Sequence, residues 1–173
     1  WDGMDRPLEQ GGWDTISASP LPYFPDSQVP REMDRAAMDR VKQEFVAAAL
    51  RGEACGFDML ELHCGHGYLL SSFLTPVSNR RSDEYGGSEA NRMRFITEIT
   101  EAVRTHWPDD KPLFVRLSVE DNAGWGPEQS VRLAKILKAK GVDVIDCSSG
   151  GITEMAPILG KEIKYSYQVP LSE

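Results

Sequence analysis

The sequence predicts an α/β fold in which parallel strands are covered by helices. Three observations carry this. Short apolar runs of strand length stand at 57–63, 112–118 and 142–147. They are too short to show polar–apolar alternation, as expected of strands in the interior of a parallel sheet. Amphipathic helical patterns alternate with these runs, so the order is loop, helix, strand, helix, strand, helix, strand, tail. Two architectures share this rhythm: a doubly wound sheet and part of a (β/α)8 TIM barrel. A closed barrel takes roughly 250 residues, and 173 residues with three clear strands do not close one.

Residues 1–30 hold Pro7, Pro20, Pro22, Pro25 and Pro30 together with Gly11-Gly12, and are expected to be irregular. Asp34 caps a helix expected to run to about Ala54, with Met38, Val41, Phe45, Ala48 and Ala49 on one face and Gly56 as its left-handed stop. The first strand follows, at 57–63. Residues 64–88 form a long connection rich in Gly, Ser, Pro and Asn. Ser88 caps a second helix, about 89–106, whose inner face is Ile96, Ile99, Val103 and Trp107, and Pro108 stops it. After the strand at 112–118, Gly126-Pro127 opens a third helix that turns Val131, Ala134 and Leu137 inward. Gly141 ends it, and the last strand leads into Ser148-Ser149-Gly150-Gly151. The chain therefore divides into a proline-rich segment 1–33, an α/β domain 34–151 and a tail 152–173.

Composition narrows the function classes. With 40% hydrophobic and 27% charged residues the chain is ordinary globular material. Nineteen basic against 27 acidic residues give a net charge of −8, which argues against a nucleic-acid partner. No apolar run approaches the ~20 residues of a membrane span, and no membrane partner is expected. Cys55, Cys64 and Cys147 are odd in number and lack CxxC spacing, which argues against a disulfide scaffold and fits a cytoplasmic location. The chain opens on Trp1 rather than Met, so we expect it to begin inside a longer one.

Sites in both architectures gather at the carboxyl ends of the strands. His63-Cys64-Gly65-His66-Gly67-Tyr68 falls there. Two neutral imidazoles three residues apart can each offer an N–H to one oxygen atom, and Tyr68 adds a phenolic proton. The competing readings are a metal pair, with Asp58 and Glu61 near in sequence, or packed histidines. Arg116 sits in an apolar strand and needs a partner. That partner is either a carboxylate on a neighbouring strand, such as Glu61, or an anionic cofactor or substrate. The Ser148–Gly151 turn allows close backbone approach to a ligand. No GxGxxG or GxxxxGK[ST] is present.

One ordered set of residues is far more specific. His63-x-x-His66-Gly67-Tyr68-Leu69-Leu70, Phe73-Leu74-x-Pro76, Asn79-x-Arg81-x-Asp83-x-Tyr85-Gly86-Gly87 and Asn91-Arg92 resemble the Old Yellow Enzyme family of flavin oxidoreductases. The likeness continues through Val115-Arg116-Leu117-Ser118 and Gly141-Val142-Asp143 to Ser148-Ser149-Gly150-Gly151.

The resemblance implies an FMN-binding (β/α)8 barrel, of which this chain supplies strands four to six with their helices and the loop after strand three. It implies NAD(P)H as reductant and a small-molecule enone or enoyl thioester as substrate. His63 and His66 would hold the carbonyl oxygen, Tyr68 would protonate the α carbon, and Arg116 would sit by the flavin pyrimidine edge. Asp83 and Arg92 would fix the loop, and Gly86-Gly87 would turn it into the helix. Cys64 would place a thiol beside the site. The family chain is about twice as long, so the isolated piece is expected to be inactive, to hold little FMN and to self-associate through its open sheet edges. Two readings compete with a flavin oxidoreductase: a non-catalytic truncated barrel that oligomerises, and a metal-dependent barrel hydrolase using His63 and His66.

Overall fold

A computed structural model of the chain describes residue 8, residues 10–152 and residues 169–172. Three strands, β3 (Leu60–Cys64), β4 (Leu113–Glu120) and β5 (Val144–Ser149), lie side by side in that order. Both pairings are parallel. Three helices connect and cover them: α1 (Arg35–Ala54), α2 (Glu89–Arg104) and α3 (Pro127–Ala139). Ahead of α1, a two-residue parallel bridge joins β1 (Ile16–Ser17) to β2 (Arg31–Glu32). The architecture is the predicted one, parallel βα units of a partial barrel. No helix among the described residues is long and apolar enough to cross a membrane.

The helix starts follow from local chemistry. Asp34 accepts a hydrogen bond from the Ala37 N–H at 2.7 Å, and Ser88 accepts one from Asn91 at 3.2 Å. Pro127 opens α3, and Gln129 Oε1 accepts from the Gly126 N–H at 3.1 Å. The predicted inner face of α2 is buried at Ile96, Ile99 and Val103, and Trp107, just past the end of the helix, is buried as well.

Boundaries and one helix rotation differ from expectation. The first strand starts at Leu60 rather than 57, because the Gly56 and Phe57 N–H groups bond back to Glu53 and Gly52 and close the end of α1. The last strand starts at Val144, because the Val142 N–H bonds to Leu137 at the end of α3. It runs on to Ser149, so the two serines are strand rather than turn. In α3 the inner face is Ser130, Leu133 and Leu137, and Val131 is 53% exposed. Ser130 sets this rotation: its hydroxyl donates to the Val119 carbonyl and accepts from Trp125 Nε1, each at 2.8 Å. Ala48 of α1 is also exposed.

The proline-rich segment is largely irregular but not detached from the domain. Ala18 and Met33 are fully buried, and their carbonyls accept from Arg81 Nη1 at 3.0 and 2.8 Å. Of the tail, residues 153–168 lie outside the described residues.

The core sits between the sheet and its helices. Leu62 and Cys64 of β3 and Leu113, Val115 and Leu117 of β4 point toward the helices and are buried. The alternate residues face the other way, toward what is the barrel interior in a closed (β/α)8 fold. Met59 and Val144, which alternation places on that face, are 45% and 40% exposed.

Candidate functional site

The register of the sheet builds the floor of the site. His63 of β3 pairs with Arg116 of β4, and Arg116 pairs with Asp146 of β5. These three side chains form one row on the interior face. The row before it is Glu61, Phe114 and Val144. Arg116 Nη1 lies 3.2 Å from the Asp146 carboxylate, so its neighbouring-strand partner is Asp146, not Glu61. The register explains the choice: Asp146 stands level with Arg116, and Glu61 stands one row down. Burial and the neighbouring Asp146 charge push the Glu61 carboxyl up, and Arg116 opposes them.

Beyond Cys64 the chain makes a tight turn over the end of β4. The Ser118 hydroxyl accepts from the His66 N–H at 2.8 Å and donates to the Gly150 carbonyl at 2.8 Å. One serine thus ties together the carboxyl ends of all three strands. His66 adopts φ 59 and Gly67 φ 74, the left-handed region. A Cβ on Gly67 would sit 2.0 Å from the Gly151 carbonyl oxygen, and one on Gly151 would sit 2.3 Å from His66 Cα. Both glycines are required because these two loops touch backbone to backbone.

This turn gathers the predicted side chains. The His63 and His66 rings lie 5.1 Å apart, edge to face, and the His63 and Tyr68 rings 5.3 Å apart. Tyr68 is 56% exposed, so its phenol opens to the outside of the cluster. His66 Nε2 lies 2.6 Å from Ser148 Oγ, and Ser148 is buried. Burial holds both imidazoles below their ordinary value; Arg116 adds to this at His63, and His63 and then Arg116 add to it at His66. Both rings are therefore neutral at neutral pH, and each has one N–H to donate and one nitrogen to accept. Among the described residues, no group of three or more His, Cys, Asp and Glu side chains could hold a metal ion.

The structure brings His63, His66, Tyr68 and Arg116 to one mouth. It moves Cys64 away: that side chain is fully buried on the helix side, and burial pushes its thiol well up, so it is not beside the site. Sequence reasoning passed over Asp146, whose signal was the one that singled out Arg116: a charged residue in an apolar strand. The segment after Tyr68 is scaffolding, as expected. Arg81 forks onto Asp83, Asn79 Nδ2 donates to the Phe73 and Tyr85 carbonyls, and Arg92 donates to the Leu74 and Gly87 carbonyls.

One feature of the donor set suits a flavin. Arg116 Nε is buried and has no hydrogen-bond partner among the described residues. A permanent cation with an unused donor, level with His63, fits the oxygen- and nitrogen-bearing edge of a flavin ring.

Comparison with known proteins identifies the family. Residues 14–162 match the NADH:flavin oxidoreductase / NADH oxidase family. An NADPH dehydrogenase of Clostridium acetobutylicum is 42% identical over 171 residues, which are 97% of this chain and 49% of that one. Among solved structures, a 2-naphthoyl-CoA reductase in complex with 2-naphthoyl-CoA superposes with a TM-score of 0.76 at 28% identity, covering 91% of this chain and 24% of that one. Morphinone reductase in complex with tetrahydroNAD superposes with a TM-score of 0.69 at 26% identity, over 79% of this chain and 43% of that one. The chain spans about half the length of the curated relatives it matches. It belongs to the NADH:flavin oxidoreductase / NADH oxidase family.

Proposed function

We propose that the chain carries the substrate-activating part of an FMN-dependent NAD(P)H oxidoreductase of ene-reductase type, acting on an enone or an enoyl thioester. One observation carries the reading: two neutral imidazoles and a phenol share one mouth with a cation that has an unused donor. When bound, FMN supplies the hydride, having been reduced by NADH or NADPH. His63 and His66 each donate an N–H to the substrate carbonyl oxygen, where negative charge develops as the alkene is reduced. For His66 this requires the Ser148 hydroxyl to donate to Nε2, which leaves the ring proton on Nδ1. Tyr68 gives its proton to the α carbon. Arg116 lies along the pyrimidine edge of the flavin. The thioester alternative draws support from the 2-naphthoyl-CoA in one structural neighbour. Family membership leaves no ground for the hydrolase reading.

The test supplies FMN in excess to the purified chain and then titrates with a phenol. Quenching of flavin fluorescence and a long-wavelength charge-transfer band are expected. The chain spans about half the length of its relatives and is expected to hold FMN only weakly, so FMN is kept in large excess; a phenol that then produces no charge-transfer band with the flavin would overturn the reading.

A second reading has its own observation. Met59 and Val144 leave apolar surface on the interior face, and among the described residues β3 and β5 are both sheet edges. Unpaired edges invite association, so the chain forms a homo-oligomer whether or not it turns over substrate. Light scattering at a mass near 19.3 kDa would contradict this. The three cysteines are unpaired, which suits the cytoplasm.

A further inference from the structure

We propose that Asp146 is a positioning residue: its carboxylate holds the Arg116 guanidinium in the row with His63 and offsets the positive charge that reaches His63 and the acceptor above it. Like Arg116, Asp146 is a charged residue in an otherwise apolar strand.

The geometry carries this. Arg116 is central in its row, with His63 on one side and Asp146 on the other, all on the interior face. The Arg116–Asp146 contact is 3.2 Å, and both side chains are about two-thirds shielded, at 38% and 36% exposure. A long Arg side chain without such an anchor samples many rotamers. Anchored through Nη1, the guanidinium keeps a buried Nε that has no hydrogen-bond partner among the described residues. The charged and titratable groups around His63 are Glu61 on its own strand, Arg116 on β4, Asp146 on β5, and His66 and Tyr68 on the turn. Of these, Arg116 lowers and Asp146 raises the proton affinity of His63. Asp146 therefore acts on His63 across an intervening strand, with Arg116 between them.

The first consequence concerns the chain without ligand. Asp146→Asn keeps the shape of the side chain and removes its charge. His63 then loses an attractive charge and meets Arg116 unopposed, so its proton affinity falls about three- to tenfold. Asp146→Glu restores it, Arg116→Leu raises it, and Glu61→Gln leaves it in place. The second consequence rests on the flavin reading above. An unopposed Arg116 favours the anionic reduced flavin, so in Asp146→Asn the reduced-to-oxidised ratio at a fixed potential rises about tenfold, which is about 30 mV for a two-electron couple.

The experiment is a proton NMR titration of the His63 ring in the ligand-free chain and its variants, with amide spectra confirming that each is folded. It is paired with a redox titration of FMN added in excess. A lower His63 midpoint in Asp146→Asn, restored in Asp146→Glu, supports the positioning role. An unchanged midpoint in folded Asp146→Asn, or a shift in Glu61→Gln instead, overturns it. Weak FMN binding is expected of a chain half the length of its relatives, and the NMR outcome then decides the role of Asp146 by itself. A bound flavin whose potential does not move in Asp146→Asn overturns the charge-offsetting half of the proposal.

Discussion

The connection from Tyr68 to Arg92 and the interior face of the sheet are built from similar residues and differ in how completely they are satisfied. In the connection, Arg81 has a side chain only 5% exposed, yet its donors reach Asp83 and two backbone carbonyls. Arg92 and Asn79 likewise end on carbonyl oxygens. On the interior face, Arg116 has one carboxylate partner, a buried Nε with none, and apolar neighbours such as Val144 left uncovered. An unused Nε alone does not mark function, because Arg104 also has one while its Nη groups close on the Lys111, Trp107 and Pro108 carbonyls. What sets Arg116 apart is the combination of that donor with a place on the interior face, level with His63.

Breaking the first region has the largest expected effect. Arg81→Ala removes a buried cation that links the loop, Asp83 and the proline-rich segment, and is expected to cost about 3 kcal/mol of stability. Denaturant unfolding measures this as a fall in midpoint at unchanged slope. A loss below about 1 kcal/mol would place Arg81 with ordinary surface pairs.

In the second region, truncation should leave stability nearly intact and affect binding instead. His63→Ala or His66→Ala removes one donor to the ligand oxygen, worth roughly 1.5–3 kcal/mol when the acceptor is charged. Phenol affinity in the presence of FMN should fall about ten- to hundredfold, read from the charge-transfer band. Equal affinities in wild type and both variants would make the pair structural. Tyr68→Phe is expected to slow alkene reduction and spare flavin reduction by NAD(P)H, a split visible in stopped-flow half-reactions.

Ser148→Ala is a finer probe. It removes the group that selects the His66 tautomer, a neutral hydrogen bond worth about 1 kcal/mol. Phenol affinity should fall about fivefold. Ser148→Thr, which keeps the hydroxyl, should restore most of it. Equal losses in both variants would assign the effect to packing.

The smallest effect distinguishes the two regions by pH. His63 and His66 have folded-state values below the ordinary imidazole value of about 6.5. The unfolded chain then binds more protons, so their contribution is present above that value and lost as pH falls below it. Asp83 is held below the usual carboxylate range, first by its hydrogen bond from Arg81. Its contribution is present above about 3.9 and lost only below that. Stability against pH should therefore weaken first below about 6.5, and again below about 4. His63→Ala combined with His66→Ala should flatten the first step alone.

Local chemistry was legible in the sequence where a feature depends on neighbours a few residues away. Asp34, Ser88 and Pro127 start helices because a cap reaches only three or four residues along the chain. The βα rhythm, and the placement of His63, His66 and Tyr68 at a strand end, follow from the same short-range pattern. The errors lie where a distant residue decides. The rotation of α3 was misread because Ser130 bonds the Val119 carbonyl, a contact that outweighs the outward-facing apolar Val131.

The sequence by itself thus determined the order of elements, the helix starts, the glycines of the turn and the chemical identity of the site residues. Only the tertiary structure decided that His63, Arg116 and Asp146 share a row, that Asp146 rather than Glu61 meets Arg116, and that Ser118 binds three strand ends together. The physical reason is register. Parallel strands are joined through long crossovers, so which residues stand level depends on how every helix packs and every ladder bond closes. A shift of one residue would turn each of these side chains to the opposite face.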